Sequence, residues 1–176
     1  PYRAVATDLS SNSQVILDSG DLLLSVRASS NVPGILAPVR LNGKLLVDGG
    51  MANNMPVDVV KAMGADIVIA IDIGDVLLSA KELEDTLSIM GQLSSFLTVA
   101  STEKQVQKLN QKDFLIRPDI SDLSTTDWST FKAGIEEGHK AAEGMLDKLK
   151  GLSIAPEDYA SYLSARNERH ADFLES

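Results

Sequence analysis

KLLVDGGMANNMPVDVVKAMGADIVIAIDIG, residues 44–74, decides the fold. The apolar run Leu45-Leu46-Val47 halts abruptly at Asp48-Gly49-Gly50, as a strand does when it reaches a sharp corner. Asn53 and Asn54 precede Met55-Pro56, and a first-turn proline with Asp58 close behind predicts a helix to about Met63, stopped by Gly64. Asn53 and Asn54 are expected to cap it. Asp66 to Ile73 is then nearly all β-branched and apolar in its middle, the pattern of a strand covered on both faces in a parallel sheet. Strand, helix and strand in that order predict a layered α/β sandwich with a mostly parallel central sheet.

Upstream, Tyr2 to Asp8 reads as a strand, Asp8 to Ser13 as a polar turn, and Val15 to Leu17 as the returning arm of a hairpin. Gly20 to Ser30 reads as a helix broken before Pro33-Gly34. Leu36 to Leu41 is extended, and Asn42-Gly43 before Lys44 is the strongest hairpin signal in the chain. Downstream, Leu83, Leu87, Met90, Leu93 and Leu97 recur at helical spacing on a helix reaching about Leu109, a stripe whose expected use is core packing, with a membrane-facing lid as the alternative. Phe114 to Ile116 is a last strand. Trp128, Phe131, Ile135, Ala142, Met145 and Leu149 fall on one further helical stripe, with Ser124 to Asp127 as its capping segment. After Gly151, Pro156 opens a charged helix to about Phe173, expected to dock or to link. The expected domains are therefore residues 1–150 and a helix in residues 151–176.

The chain has 176 residues, of which 44% are hydrophobic and 23% charged, enough to build a core. Its net charge of −9 argues against a surface made to grip phosphate backbones, so nucleic acid is not an expected partner. With no cysteine, thiol nucleophiles and disulfides are excluded. Only two histidines are present, His139 and His170, both in charged helical surroundings that suit solvated side chains. A histidine-based triad or zinc site has little to draw on, and no metal or cofactor is expected. No P-loop or G-x-G-x-x-G is present, no apolar run is long enough to span a bilayer, and no signal peptide is visible.

Asp48 is the residue best placed for chemistry. A carboxylate at a strand end, flanked by Gly49 and Gly50, is open to close approach, and partial burial would raise its proton affinity toward that of a general base. Spacing alone favours a turn residue bonding its own backbone over catalysis. Asp72 ends the second strand and suits either a ligand at the sheet edge or a local cap; Asp8 suits its turn. None of the 19 serines sits in a G-x-S-x-G elbow. The nearest approach, Gly151-Leu152-Ser153-Ile154-Ala155, lies between helices with no strand before it.

At Asp48 the sequence also resembles the later part of the patatin-like phospholipase catalytic domain. The likeness runs from Pro1 to about Ala142 in ordered blocks: PYRAVATDL at 1–9, GDLLLSVRASSNVPGILAPV at 20–39, KLLVDGGMANNMPVDVVKAMGAD at 44–66 and IVIAIDIG at 67–74. It implies a serine lipid acyl hydrolase that uses a Ser-Asp dyad without histidine, with Asp48 as the base of a D-G-G motif completed by Gly49 and Gly50. The oxyanion loop and the elbow serine precede this region in the family. The resemblance therefore implies an incomplete fold whose upstream strands are missing, and a chain inert on its own. Implied partners are a phospholipid or other acyl ester, the missing N-terminal part, and peripheral contact with a membrane. A noncatalytic scaffold of the same architecture, or a small-molecule-binding α/β domain using Asp48 and Asp72, stands as the alternative. Cytoplasmic, secreted and outer-membrane-attached locations all remain open.

Overall fold

The computed structural model describes residues 2–74, 77–121, 123 and 128–175, without the side chains of Trp128 and of residues 168–175. Contacts divide the chain into two compact units, one ending at Ala141 and one beginning at Ala142.

The first unit opens with the hairpin β1 (Ala4–Asp8) and β2 (Ser13–Leu17), paired from Ala4 with Leu17 to Asp8 with Ser13. Asp21 caps α1 (Leu22–Ser29), its carboxylate accepting from the Leu24 amide at 2.9 Å. The second hairpin joins β3 (Val39–Leu41) and β4 (Lys44–Asp48) through Asn42 and Gly43, whose φ values of 50° and 76° are those of a tight type I′ turn. β1 also pairs with β4, giving the order β2-β1-β4-β3.

Every residue of β1 is buried because helices cover both of its faces. Ala6 packs with Ala28 of α1, Val39 and Leu46 on one side. On the other, the Thr7 hydroxyl accepts from the Ala52 amide of α2 (Gly50–Asn53) at 3.2 Å. This alternation of partners follows the two-residue period of a strand. The layered α/β class is thus realised around β1. The first sheet is antiparallel throughout: its four-residue and two-residue hairpin connections are far too short for a parallel crossover, and β1 and β4, which join the two hairpins, also run antiparallel. The parallel pairing lies in a second sheet, where β5 (Ile69–Ile71) runs beside β6 (Phe114–Ile116).

Between β4 and β5 lies α3 (Val57–Ala62), and between β5 and β6 lies α4 (Thr86–Val106), opened by a capping box of Asp85 and Ser88. Met55, Val57, Val68 and Ala70 form a second core cluster with Val106, Leu109 and Leu115 packed against it.

Three expectations need correction. The segment 66–73 is not covered on both faces: Val68 and Ala70 are buried, whereas Ile67, Ile69, Ile71 and Ile73 are exposed, Ile71 by 60%. No described element packs closely over that row. Ile71, Ile73, Pro118, Ile120, Phe131 and Ile135 instead rim an open apolar groove of about 490 Å³. The stripe of α4 is not core either, because Leu87, Met90, Leu93 and Leu97 are all exposed, and the helix begins at Thr86, leaving Leu83 outside it. The third stripe is interrupted, as α5 (Phe131–Glu143) ends before Gly144 and a separate α6 (Leu146–Leu149) follows. Phe131 and Ile135 are exposed. The expected cap at Ser124 to Asp127 lies outside the described residues.

The second unit contains α6, a 3₁₀ turn (Lys150–Leu152) and α7 (Pro156–Glu175), on which Tyr159 and Tyr162 stack with ring centroids 6.3 Å apart.

Candidate active site

β4 delivers Asp48 to the corner where the first sheet meets α2. The chain must turn at once into a helix here, and Gly49 lets it do so under β1. A Cβ on Gly49 would stand 2.1 Å from the Val5 carbonyl oxygen, closer than any side chain can sit. Its φ of −68° is ordinary, so the glycine answers to close backbone approach and not to conformation. Two further bonds fix the corner: the Asp48 amide donates to the Asn31 carbonyl at 2.9 Å, and the Gly49 amide to the Ser29 carbonyl at 3.2 Å.

The Asp48 side chain is half-buried, and its Oδ1 accepts from the Gly50 amide at 2.7 Å. The turn reading of this residue is met, since it bonds its own turn with one oxygen. Among the described residues no hydrogen bond reaches Oδ2, and no lysine or arginine pairs with the carboxylate. Burial pushes the Asp48 carboxyl above its ordinary value, and the Gly50 amide offsets only part of that.

The other acids differ in this respect. Asp58 is paired with Lys108 at 2.6 Å, and although partial burial acts to raise it, bonds from Lys108, Gln105 and Asn53 bring its pKa to about 2. Asp113 is held at about 2 by Lys61, 2.7 Å away, with help from the Asn110 amide. Asp72 pairs with Arg117 at 2.9 Å and caps the Gly74 amide at 3.0 Å, so its local role is satisfied inside the fold. Asp8 serves its own turn, accepting from the Ser10 hydroxyl at 2.8 Å and amide at 3.1 Å. Asp48 and Asp72 do not share a hydrogen bond or a common partner.

Neither Asn53 nor Asn54 caps α3, which corrects the sequence reading. Asn53 Nδ2 donates to Gln14 and Asp58, at 2.7 and 3.0 Å, and Asn54 Nδ2 to Thr102 at 3.1 Å. The cap comes from afar, with Gln105 of α4 accepting from the Asp58 amide at 3.1 Å. α4 also supports the corner through Ser101, whose hydroxyl donates to the Gly50 carbonyl at 2.9 Å and accepts from the Asn54 amide at 3.1 Å.

Sequence reasoning missed Asn31, which is wholly buried, donates to the Ala37 carbonyl at 2.9 Å and holds the Asp48 amide with its own carbonyl. Among the described residues its side-chain oxygen has no partner. Local pattern carries no signal for such roles, because Ser101 and Asn31 reach the corner across 51 and 17 positions, 101 − 50 and 48 − 31.

His139 is exposed on α5, and the His170 side chain is outside the described set. Ser153 lies in the extended turn between the 3₁₀ turn and α7, without the preceding strand an elbow requires. Among the described residues no group of acids and histidines suits a metal ion, and no helix is long and apolar enough to cross a membrane.

The D-G-G corner and the strands around it coincide with a known family. The family model described as patatin-like phospholipase matches residues 3–61. Mouse patatin-like phospholipase domain-containing protein 7 is 29% identical over 84% of this chain and 13% of its own length. Mouse patatin-like phospholipase domain-containing protein 6 is 31% identical over 80% of this chain and 12% of its own length. A protein named lysophospholipase NTE1, from Phaeosphaeria nodorum, is 29% identical over 85% and 11% respectively. The chain belongs to the patatin-like phospholipase family, and it spans roughly an eighth of the length of these curated relatives.

Proposed function

We propose that the chain carries the base-bearing part of a lipid acyl hydrolase, with Asp48 as general base toward a serine hydroxyl supplied by protein outside residues 1–176. The observation that supports this most is the isolation of Asp48: it is the acid at the family's D-G-G corner, it is partly desolvated, and among the described residues nothing bonds its second oxygen. Asp58 and Asp113 are held by lysine at about 2, too low to accept a proton well, and Asp72 is engaged by Arg117 and the Gly74 amide, which disfavours all three for the role. Asp48 Oδ2 takes the serine proton as the oxygen attacks the ester carbonyl, then returns it to the departing alcohol. Water repeats the cycle on the acyl-enzyme. Gly50 holds Oδ1 fixed meanwhile.

In this reading residues 1–150 are the C-terminal part of the catalytic domain and 151–176 a docking or linker helix. The chain alone is inactive, because nucleophile and oxyanion donors lie elsewhere. The substrate is a phospholipid or related acyl ester.

The test is hydrolysis of a phospholipid and of a dissolved short-chain ester by the chain preceded by the residues its gene encodes before Pro1. Asp48→Asn is expected to lower the rate by about 10²-fold or more at unchanged fold, since asparagine keeps the Gly50 bond and loses the proton acceptor. Activity surviving that change would remove Asp48 from the mechanism. A gene without an upstream serine elbow, and an inactive longer protein, would favour a scaffold of the same architecture.

A further inference from the structure

α4 is inverted relative to an ordinary surface helix. Its buried residues are polar: Gln92, Ser101, Thr102 and Gln105. Each finds a protein partner, with Gln92 bonded to the backbone of Leu78 and the other three to the segment 50–58. Its exposed residues include Leu87, Leu93, Phe96 and Leu97, with Leu93 exposed by 55%. No charged residue occurs from Thr86 to Thr102.

A second uncharged segment, residues 28–39, lies beside it and leaves Ile35 and Leu36 exposed. The two segments touch, for a Cβ on Gly34 would be 3.6 Å from Leu87 Cδ1. Both are anchored to the Asp48 corner. Asn31 holds the Asp48 amide, and Thr98 Oγ1 stands 3.3 Å from where a Gly50 Cβ would be.

We propose that the exposed face of the first half of α4, together with Ile35 and Leu36, docks on an electrically neutral lipid surface and brings the Asp48 corner to the esters in it. Charge selects this occupant. A chain of net charge −9 is repelled by anionic lipid, whereas an uncharged apolar patch meets a zwitterionic bilayer with no electrostatic cost. An interfacial helix ordinarily keeps a charged face toward water; here the polar face is bound to the protein instead, leaving only the apolar one to be covered. The proposal rests on the lipid-hydrolase reading for the nature of the surface.

Flotation of the full chain with phosphatidylcholine vesicles tests it without requiring catalysis. Binding is expected at low salt and to persist at high salt. The double variant Leu93→Ser, Phe96→Ser should lower the partition coefficient by at least about tenfold. Ile71→Ser on the β5 row, an equally exposed apolar site elsewhere, should leave it unchanged, as should Asp48→Asn. Equal losses in the α4 and β5 variants would overturn the proposal, as would binding confined to anionic vesicles. Failure to float, with sedimentation showing the α4 face closed in a dimer that the double variant dissociates, would also overturn it. With the longer protein of the hydrolysis test, hydrolysis of dissolved ester without flotation would refute the docking and keep the hydrolase; flotation without hydrolysis would do the reverse.

Discussion

Gly49 and Gly50 stand side by side for different reasons. At Gly49 an added methyl would strike the Val5 carbonyl, part of a fully buried strand that cannot yield. Gly49→Ala is expected to destabilise the chain by about 3 kcal/mol or more, read from denaturant unfolding. At Gly50 the methyl would meet three side-chain atoms, Asp48 Oδ1 at 3.0 Å, Asn54 Oδ1 at 3.1 Å and Thr98 Oγ1 at 3.3 Å. These can shift, so Gly50→Ala should cost only about 1 kcal/mol while displacing the carboxylate, and ester hydrolysis by the longer protein should drop at least about tenfold. Equal stability losses in the two variants would contradict the distinction. The position of Asp48 at a strand end was legible from Leu45-Leu46-Val47 and the glycines. Its lack of a counter-ion was not, since Lys61, Lys108 and Arg117 are matched to other acids by tertiary structure alone.

At the scale of elements, α4 reverses the usual ranking of substitutions. Gln105→Ala removes the acceptor from the Asp58 amide at the start of α3 and should cost about 1–2 kcal/mol. Leu93→Ala touches an exposed side chain and should stay within about 0.5 kcal/mol. Thermal or urea unfolding of the pair checks this, and a costlier Leu93→Ala would show that the leucine is packed after all. Periodicity told which residues of α4 share a face, but not which face turns inward. That choice was made by α2 and α3, whose free backbone groups at Gly50, Asn54 and Asp58 require polar partners. The hairpins were easier to read, because Asn42-Gly43 encodes its own turn geometry.

Across the whole molecule, two ion pairs tie α3 to the segment between α4 and β6: Asp58 with Lys108, and Lys61 with Asp113. Both carboxyls sit at about 2, below their unfolded value near 3.8. The stabilisation they give is therefore complete above that value and is lost as pH falls toward 2. Asp48 acts oppositely, since its raised pKa stabilises the fold at low pH and ceases to do so as pH rises through its folded value. The melting temperature is expected to fall between about pH 4 and pH 2, whereas Asp48 makes its opposing contribution above its unfolded value near 3.8, so Asp48→Asn should abolish a gain on acidification above that value and leave the fall below it largely unchanged. A melting temperature flat across that range would show the two ties to be inert. The separation into an antiparallel and a parallel sheet could not be read from strand composition, because Asp66 to Ile73 has the make-up of a doubly covered strand whichever neighbours are present.

The isoleucine row of β5 and the outer side of α4 share one thermodynamic consequence. Apolar groups already hydrated before the chain unfolds add nothing to the heat-capacity increment of unfolding. That increment is smaller than chain length alone implies, and the curve of stability against temperature is correspondingly shallow, until something dry covers those groups.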